Sequence, residues 1–564
     1  MLGGVLIKSE KLTLSQELAR FMAVKKVPVA FQLSGGMIAF MLDAIQELGQ
    51  TPIVNCRHEQ AAGFGAEGAT RVSGRPSFAF GTSGPGATNL ITAIASCFFD
   101  SVPVVFVTGQ VNQKESKKNP TQRQNGFQEL DICSAVKHIT KYSAQPRSAE
   151  DAMLAIKNGW TIAQQGRPGP VLIDIAINLQ QDIVCEVKTD LEADFFENKF
   201  DSNLYEQLRL VINSSKNPLI LAGGGVRIDN SIELLQQFSE KYNIPYVSSL
   251  MGLDSVNHND EKYFGFIGSY GNRWANQAMQ KSDLLIALGS RMDVRQTGNN
   301  VSRFTNGKQI IRVDIDENEL SGRINADFKI KSTISDFLKK MLEIDISRRS
   351  NDFINEIALL RKTRPQEVEN SKSIGFNPNT IVSQIPSMFP QTKGYIVDVG
   401  QHQMWAAQSL PMNFGQRFIT SGGLGAMGFS IPASLGAASV DKSRWVVIVG
   451  DGCLQLSSAE LQTLIHYEVP IAICLFNNHQ HGMVAQFQEE NMSSRFVGTR
   501  QGYSCPDFIK LAEVYGFKKT YRVTTFAEYD SIVKESSSWG MQPVFIEFVI
   551  SQDSKALPKM SIDD

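Results

Sequence analysis

The fold is decided by one stretch of the chain, which runs from Trp445 to Met483 and reads WVVIVGDGCLQLSSAELQTLIHYEVPIAICLFNNHQHGM. It contains two unbroken apolar runs, WVVIV and IAICLF, of the kind found in strands that are buried on both faces of a parallel sheet. Between them, apolar residues recur at helical spacing from Ala459 to Tyr467, and Ser457 with Glu460 has the pattern of an N-terminal capping box. The stretch therefore predicts a strand, a helix and a second strand.

Two polar side chains are expected at one edge of this sheet. Asp451 follows the first strand and Asn478 follows the second. A right-handed crossover makes the strands parallel, and ligands of such sheets bind at the carboxyl ends of the strands. Carboxylate and amide oxygens suit Mg²⁺, and the glycines beside Asp451 allow a diphosphate to approach the backbone. An ordinary crossover with a polar turn could also contain GDG, but the asparagine pair at this distance favours a metal and diphosphate site.

The composition is that of a large globular enzyme. At about 150 residues per domain, the 564 residues allow three or four domains. A formal charge of −2 gives no reason to expect a nucleic acid or an anionic membrane as partner. No apolar run reaches ~18 residues, no secretion signal is evident, and the seven cysteines lack CxxC spacing. We therefore expect a cytoplasmic protein with buried free thiols.

Buried-strand runs alternate with helical patterns along the chain, as in doubly wound α/β domains with parallel sheets. The composition changes at residues 187–203 and again, in a charged segment, at residues 347–378. We therefore expect three domains, at residues 1–186, 204–346 and 377–564. The strand runs are SFAFGTSG, PVVFVTG, GPVLIDIAI, PLILAGGG, DLLIALG, QIIRVDID and GYIVDVG, followed by the stretch quoted above.

A series of motifs carries a resemblance to a known family. The GDG and NN stretch resembles the diphosphate and metal signature of thiamine-diphosphate enzymes. Nearly the whole chain is similar to the acetohydroxyacid (acetolactate) synthase branch of that family, because its motifs occur here in the same order. They are RHEQAAGFGAEGATRVSGRP, TSGPGATN, PVVFVTGQV, GFQELDI, GRPGPVLIDI, VGQHQMWAAQ, SGGLGAMGFSIPASLGA and PDFIKLAEVYG. The resemblance implies a pyrimidine-binding, a flavin-binding and a diphosphate-binding domain, in that order.

The resemblance also implies catalytic residues in the first domain. Glu59 would bond a ring nitrogen of the aminopyrimidine and relay the proton of the thiazolium carbon. Phe127 and Gln128 would face the reacting carbonyl groups. Taken alone, Glu59 is an acid near a helix start, where the helix dipole favours it; only the thiamine context makes it a catalytic candidate.

The cofactor contacts are implied in the same way. Asp451, Asn478 and the backbone carbonyl of Gln480 would hold Mg²⁺. Gly425 would bond the aminopyrimidine through its backbone, and Met427 would support the bent cofactor, although a glycine in a turn and a methionine in a core are equally ordinary. The remaining candidates for thiamine diphosphate are Gln401, His402, Gly452, Cys453 and Met483.

The middle domain resembles the flavin-binding part of acetolactate synthases through LILAGGGVRIDN, GSYGN, ALGSRMDVRQTGN and RVDIDENEL. Arg167 matches a flavin-contacting arginine, and Arg291, Asp293 and Arg295 match a charged cluster on the flavin side. The resemblance implies FAD as a structural cofactor, whereas glycine-rich turns after strands also occur in α/β domains without flavin.

Five positions depart from the biosynthetic synthases. After VLID, Ala176, Ile177 and Asn178 stand where those synthases usually have proline, lysine and aspartate. Phe487 replaces a tryptophan and Val294 replaces an aspartate, and the lysine and the tryptophan lie at the acceptor entrance in that family. Loss of a cation and of aromatic area weakens the case for a second 2-keto acid, because its carboxylate favours a positive partner.

Several functions therefore remain open. The favoured hypothesis is a carboligase that decarboxylates pyruvate and adds the acetyl unit to another ketone or aldehyde, including a nucleotide-linked keto sugar. The alternatives are acetolactate synthesis with a second 2-keto acid and a non-catalytic paralogue. The resemblance also implies a homodimer or homotetramer, because the parts of one site come from different chains in this family.

Overall fold

This computed structural model describes residues 11–119, 121–185, 187, 191, 201–369 and 376–559. Most of the segment 187–203, with its change of composition, lies outside the described residues, as do residues 370–375 of the second such segment. The chain divides into two compact units. The first comprises residues 1–194, 421–442 and 457–469, and the second comprises residues 195–420, 443–456 and 470–564.

The N-terminal part of the first unit contains a six-stranded parallel sheet, a separate two-stranded ribbon and flanking helices. Its strands are β1 (Leu12–Thr13), β2 (Ala30–Gln32), β3 (Ile53–Asn55), β4 (Phe78–Gly81), β5 (Val105–Gln110), β6 (Tyr142–Ala144), β7 (Val171–Ala176) and β8 (Ile183–Val184). Its helices are α1 (Leu14–Val24), α2 (Ala39–Leu48), α3 (Glu59–Ser73), α4 (Pro85–Asn89), α5 (Ile91–Phe99), α6 (Ile132–Val136) and α7 (Ala149–Gln164). The sheet order is β3-β2-β4-β5-β7-β6, and β1 pairs with β8 in an antiparallel ribbon.

The middle of the chain, in the second unit, forms another six-stranded parallel sheet. Its strands are β9 (Pro218–Ala222), β10 (Tyr246–Ser248), β11 (Tyr263–Phe266), β12 (Leu284–Leu288), β13 (Gln309–Asp314) and β14 (Phe328–Lys331). Its helices are α8 (Ser202–Ser214), α9 (Gly224–Ile228), α10 (Ile232–Tyr242), α11 (Arg273–Lys281), α12 (Val294–Thr297), α13 (Val301–Thr305), α14 (Glu317–Leu320), α15 (Ile334–Glu343), α16 (Asp352–Thr363) and α17 (Gln366–Glu369). The order β11-β10-β9-β12-β13-β14 is that of dinucleotide-binding sheets.

The C-terminal part contains the third parallel sheet, which lies entirely in the second unit. Its strands are β15 (Gly394–Val397), β16 (Arg417–Ile419), β17 (Trp445–Gly450), β18 (Ile471–Asn477), β19 (Lys519–Val523) and β20 (Val544–Val549). The helices are α18 (Pro378–Met388), α19 (Gln401–Ser409), α20 (Ser430–Asp441), α21 (Asp451–Ser457), α22 (Glu460–His466), α23 (Gly482–Asn491), α24 (Phe508–Tyr515) and α25 (Phe526–Ser536). The sheet order is β16-β15-β17-β18-β20-β19, while α20 and α22 belong to the first unit.

The strands form where the sequence predicts them because their apolar runs can be buried on both faces. Every residue of β5, β7, β17 and β18 is buried. β17 pairs with β18 in parallel, as the crossover rule requires. The predicted α/β class with three parallel sheets is confirmed. Among the described residues, no helix is long and apolar enough to cross a bilayer.

Helices α3 and α20 of the first unit pack backbone to backbone. A Cβ atom added to Gly68 would overlap the carbonyl group of Ala433, and one added to Gly436 would overlap that of Gly65. The small residues that follow Glu59 in α3 therefore permit a close approach of the two helices.

The predicted capping box is wrong. Ser457 is the last residue of α21, and Ala459, which caps α22, makes no side-chain capping bond. The Glu460 carboxylate instead accepts hydrogen bonds from the backbone N–H of Arg57 at 2.8 Å and from the hydroxyl of Thr463 at 2.7 Å. A long-range contact within the first unit has replaced the local one.

Candidate active site

The carboxyl ends of β17 and β18 bring Asp451 and Asn478 to one edge of the third sheet. Asp451 is buried, and its carboxylate accepts hydrogen bonds from the hydroxyl of Tyr503 and the backbone N–H of Gln480. Burial nevertheless raises the pKa of Asp451 to about 6. Its Oδ2 atom has no hydrogen-bond partner among the residues that the structure describes. A buried carboxylate oxygen in this state fits a bound cation.

The other two metal candidates are arranged so that their oxygens remain available. Asn478 uses its amide donor on the side-chain oxygen of Gln401, at 3.1 Å, which leaves its own carbonyl oxygen for a ligand. The side-chain oxygen of Gln480 is engaged by Arg500 at 2.6 Å. The main-chain carbonyl of Gln480 is thus the group that the residue can offer, as the resemblance implies. Carboxylate, amide and carbonyl oxygens form a donor set suited to Mg²⁺.

His402 lies at the start of α19, next to the same strand ends. Its ring is buried against Gly450, where a Cβ atom would lie 2.8 Å from the imidazole. Burial lowers its pKa to about 4, although Asp398 opposes the shift. The Nε2 atom of His402 has no partner among the described residues. A nearby anion favours the protonated form of an imidazole, so a bound diphosphate would turn this nitrogen into a donor.

The remaining thiamine diphosphate candidates of the second unit surround this edge. Gln401 donates to Gln486 at 3.1 Å and to the carbonyl of Ser554 at 3.0 Å, which fixes its side chain. Gly452 and Cys453 are in the first turn of α21, and the buried thiol of Cys453 donates to the carbonyl of Val399 at 3.1 Å. Met483 lies near the start of α23.

Glu59 is the first residue of α3, in the first unit. Its carboxylate is buried and accepts a hydrogen bond from the Asn89 amide at 2.9 Å. His58 caps the helix by accepting from the backbone N–H of Gln60. Gly86 lies so close that a Cβ atom there would be 3.3 Å from a carboxylate oxygen of Glu59. The acid is therefore held between a helix start and a glycine turn.

Sequence reasoning missed two residues that hold the turn before Glu59. The Tyr467 hydroxyl accepts from the backbone N–H of Asn55 at 2.9 Å. Glu460, misassigned to a capping box, accepts from the N–H of Arg57. Both acceptors come from the α22 segment, more than 400 positions away in the chain. No local pattern could have revealed them.

Phe127 and Gln128 lie in the loop after β5. Gln128 has a φ of 66°, and Gly84 beside it has a φ of 61°. A Cβ atom at Gly84 would be 2.9 Å from that of Gln128. Left-handed backbone is uncommon in non-glycine residues, and here it brings the backbone of Gln128 against that of Gly84. Phe127 is 80% exposed, which leaves a large apolar ring accessible for a ligand.

Gly425 and Met427 belong to the first unit. They lie in residues 421–429, here termed the arch, between β16 and α20. Gly425 has a φ of 72°, a conformation that glycine adopts without strain. Both residues are only partly buried, so their surfaces remain available for a ligand.

The flavin candidates are divided between the units. In the second unit, Arg291, Asp293 and Arg295 follow β12, and Asp293 caps α12 by accepting from the backbone N–H of Arg295. The closest charged atoms of Arg291 and Asp293 are 3.8 Å apart. Arg167 lies in the first unit, where its Nε donates to the Ser101 hydroxyl at 2.9 Å.

The strand order of the middle sheet supports a dinucleotide-like ligand there. Its order reverses between β9 and β12, which end before Gly223 and Gly289. A Cβ atom at Gly223 would overlap the carbonyl of Gly289, so the two backbones approach closely. Such switch points are where parallel sheets bind dinucleotides.

The two acceptor-side candidates also lie in different units. Ile177 is the first residue of a 3₁₀ helix after β7 and is half-buried. Phe487 projects from α23 and is 49% exposed. The side-chain oxygen of Asn178, next to Ile177, accepts from the backbone N–H of Gln113, and its amide donates to the side-chain oxygen of Gln113, both at 3.0 Å.

Comparison with known proteins agrees with this geometry. Residues 12–135, 206–341 and 398–548 match the N-terminal TPP binding, central and C-terminal TPP binding domains of thiamine pyrophosphate enzymes. The chain is 34% identical to an acetolactate synthase large subunit of Lactococcus lactis, over 98% of this chain and 95% of the relative. It is 33% identical to that of Corynebacterium glutamicum, over 98% and 89%. It is 32% identical to the mitochondrial acetolactate synthase catalytic subunit of Saccharomyces cerevisiae, over 98% and 82%.

These matches confirm the expected cofactor class, thiamine diphosphate, with Mg²⁺ and FAD as is usual in the family. The chain therefore belongs to the acetolactate synthase-like family of thiamine diphosphate-dependent enzymes.

Proposed function

We propose that this enzyme decarboxylates pyruvate and transfers the acetyl unit to a ketone or aldehyde, with a nucleotide-linked keto sugar among the candidate acceptors. The cofactor part of the proposal is carried by the buried Asp451, one oxygen of which has no hydrogen-bond partner among the described residues, and by the neighbouring Asn478. We also propose a homodimer or homotetramer with sites at the chain interface, which rests on the family resemblance.

The site residues have separable roles in this proposal. When bound, thiamine diphosphate supplies a carbon nucleophile for the pyruvate keto group and an electron sink for decarboxylation. Asp451, Asn478 and the Gln480 carbonyl would hold Mg²⁺, and His402 would donate to the diphosphate. Glu59 would hold and return the proton at its carboxylate.

The residues of the arch and of the loop after β5 would orient the reactants. Gly425 would bond the aminopyrimidine through its backbone, and Met427 would support the cofactor from one side. Gln128 would donate to the substrate carbonyl, and Phe127 would restrict the access of water. Arg167, Arg291, Asp293 and Arg295 would contact FAD, which would have a structural role.

The acceptor part of the proposal rests on Ile177. Its side chain is apolar at the position where the resemblance implies a lysine, and the neighbouring Asn178 is already paired with Gln113. A second 2-keto acid would find no cation at this position, which disfavours a carboxylate-bearing acceptor. Phe487 offers a smaller ring than the tryptophan implied there.

Acetolactate synthesis is the second candidate, and the names of the relatives favour it. A non-catalytic role is disfavoured because Glu59, Asp451 and Asn478 are all present and buried.

Product analysis tests the proposal. The purified protein would be incubated with thiamine diphosphate, Mg²⁺, FAD and pyruvate, with and without keto acids, simple ketones and keto sugars. We expect slow carbon dioxide release from pyruvate alone, and faster release with a tertiary alcohol as product when a non-acid ketone is added. Efficient acetolactate formation from pyruvate alone would return the function to the second candidate.

A matched variant sharpens this test. Ile177→Lys introduces the cation that the proposal says is missing, and Ile177→Leu controls for the disturbed packing. We expect only the lysine variant to gain activity with 2-keto acid acceptors. An equal response of both variants would remove Ile177 from acceptor selection.

A further inference from the structure

A buried cluster of charges in the first unit holds the arch. This cluster, here termed the clamp, consists of Glu67, Arg71 and Asp100. The Arg71 guanidinium donates to Glu67 at 2.5 Å and to Asp100 at 2.7 Å. Glu67 and Asp100 are both buried, and Arg71 exposes only a tenth of its side chain. None of the three belongs to the proposed cofactor machinery.

Both oxygens of the Asp100 carboxylate reach the arch, and Oδ2 is shared with Arg71. The two oxygens accept from the backbone N–H groups of Gly422 at 3.0 Å and Gly423 at 2.7 Å. A Cβ atom at Gly423 would lie 2.9 Å from Oδ1 of Asp100, so this contact requires glycine. One carboxylate therefore joins the guanidinium of Arg71 to two consecutive amides of the arch.

The C-terminal end of the arch is held by α3, the helix that carries Glu67 and Arg71. Arg71 lies over the ring of Phe429, 5.8 Å from its centre, and Phe64 packs edge-on against that ring at 5.3 Å. Inside the arch, the Ser421 hydroxyl accepts from the backbone N–H of Ala426 at 3.2 Å. The arch is thus fixed at both ends, while the part with Gly425 and Met427 stays partly exposed.

Packing alone does not account for this arrangement. Two carboxylates and one guanidinium are costly to bury, and apolar residues of similar volume often stabilise a fold as well or better. Burial raises the pKa of Glu67, which is the direction expected for an acid that shares one cation with Asp100. A carboxylate can accept hydrogen bonds from two adjacent backbone N–H groups in a fixed direction, whereas an apolar side chain cannot.

We propose that Asp100, oriented by Arg71 and Glu67, is a positioning residue that sets the conformation of the arch and thereby the binding of the aminopyrimidine by Gly425 and Met427. The inference rests on the proposed function for the role of those two residues. It adds a buried clamp, distant in sequence from the arch, as the group that determines the arch geometry.

Asp100→Asn is the main test, because it keeps the shape but places an amide donor against Arg71 or a backbone N–H. We expect amide hydrogen exchange of residues 421–429 to become tenfold faster or more, and thiamine diphosphate to bind roughly tenfold or more weakly in the presence of Mg²⁺. The pyruvate KM should change little while kcat falls.

Asp283→Asn is the matched control. Asp283 also accepts from two consecutive backbone N–H groups, those of Lys216 at 2.8 Å and Asn217 at 2.9 Å, but it belongs to the second unit and precedes β12, whereas the flavin candidates Arg291, Asp293 and Arg295 follow that strand. We expect faster exchange at residues 215–217 and unchanged cofactor affinity. If both variants bind thiamine diphosphate within twofold of the wild type, Asp100 has no positioning role.

A milder variant keeps the inference testable should Asp100→Asn fail to fold. Ser421→Ala removes the hydroxyl that bonds Ala426 and approaches Ser96 at 3.3 Å. We expect about threefold faster exchange in the arch and weaker cofactor binding; unchanged values of both would overturn the inference. A wild-type protein that binds no thiamine diphosphate would refute the proposed function, whereas the exchange measurement needs no cofactor and would still decide whether Asp100 holds the arch.

Discussion

The first and third sheets have the same topology but carry different chemistry. Numbered by chain order, the strands of both are arranged 2-1-3-4-6-5, whereas the middle sheet has the order 3-2-1-4-5-6. After its second strand, the first sheet presents the buried acid Glu59. After β16, the second strand of the third sheet, the chain instead continues into the arch with Gly425. Two sheets of the same topology therefore place different side chains at equivalent positions, and the side chains determine what each position can bind.

The two acids of these sheets differ in what surrounds their oxygens. Glu59 receives the Asn89 amide and starts a helix, which is a setting for holding and releasing a proton. Asp451 keeps one buried oxygen without a partner among the described residues, which is a setting for a cation. The predictions below test whether this division of roles is correct.

Glu59→Gln should have the largest effect. General acid and base groups typically contribute about 10²- to 10⁴-fold, so we expect kcat for pyruvate consumption to fall by that factor. The amide keeps the size of the side chain and the contact with Asn89, so thiamine diphosphate affinity should stay within a few fold. Near-normal turnover would remove Glu59 from the mechanism.

Asp451→Asn should act on binding instead. Changes in the residues that merely support metal ligands typically cost 10- to 100-fold in affinity, so loss of a ligand charge should weaken Mg²⁺-dependent cofactor binding by about 100-fold or more. Calorimetric titration of thiamine diphosphate at several Mg²⁺ concentrations measures this. Unchanged affinity would contradict the metal assignment.

Asp174 and Asp451 should both make the stability of the protein depend on pH. Burial raises the pKa of Asp174, within strand β7 of the first sheet, to about 6, as it does for Asp451. Each acid keeps its proton to higher pH when folded, so the stability it contributes is present below about pH 4 and is lost as pH rises through about 6. The ordinary pKa of an aspartate is 3.8, so each shift changes the free energy of unfolding by up to about 3 kcal/mol over this pH range.

Urea unfolding between pH 4 and pH 7 measures these contributions. We expect Asp174→Asn and Asp451→Asn each to flatten the decline in the free energy of unfolding without ligand. With Mg²⁺ and thiamine diphosphate, the Asp451 contribution should disappear, because a cation favours the charged carboxylate, whereas that of Asp174 should persist. Equal sensitivity of both acids to Mg²⁺ would contradict the assignment of Asp451, and not Asp174, to the cation.

Tyr467→Phe should have the smallest effect. It removes the acceptor of the Asn55 backbone N–H. The bond from the Arg57 backbone N–H to Glu460 stays in place. A neutral hydrogen bond is worth about 0.5–1.5 kcal/mol, so kcat should fall by no more than about tenfold with unchanged cofactor affinity. A larger loss of affinity than of kcat would place Tyr467 in cofactor binding instead.

Much of the fold could be predicted because its strands are long apolar runs. β5, β7, β17 and β18 are wholly buried, so their sequences record their positions in the sheets. The short, half-exposed strands β6 and β14 have no such pattern. β6 has neither two-fold alternation nor an apolar run, and the alternation of apolar and charged residues in β14 spans only four residues.

The site could be predicted only where its residues follow strands in sequence. Asp451 and Asn478 lie at an edge that two neighbouring strands define, so their proximity follows from parallel pairing. The contacts of Glu460 with Arg57 and of Asp100 with Gly423 join distant parts of the chain. Tertiary contacts of this kind leave no periodicity in the sequence, and they account for both the missed positioning groups and the wrong capping box.

The backbone contact between α3 and α20 has a consequence for the position of Glu59, the first residue of α3. Displacing a helix by one residue along its axis moves every atom by 1.5 Å, whereas catalytic groups must be placed within about 0.5 Å. At Gly68 and Gly436 there is no side chain through which the helices could adjust to each other. A side chain at either glycine would push the two helices apart and would thereby displace Glu59 at the start of α3.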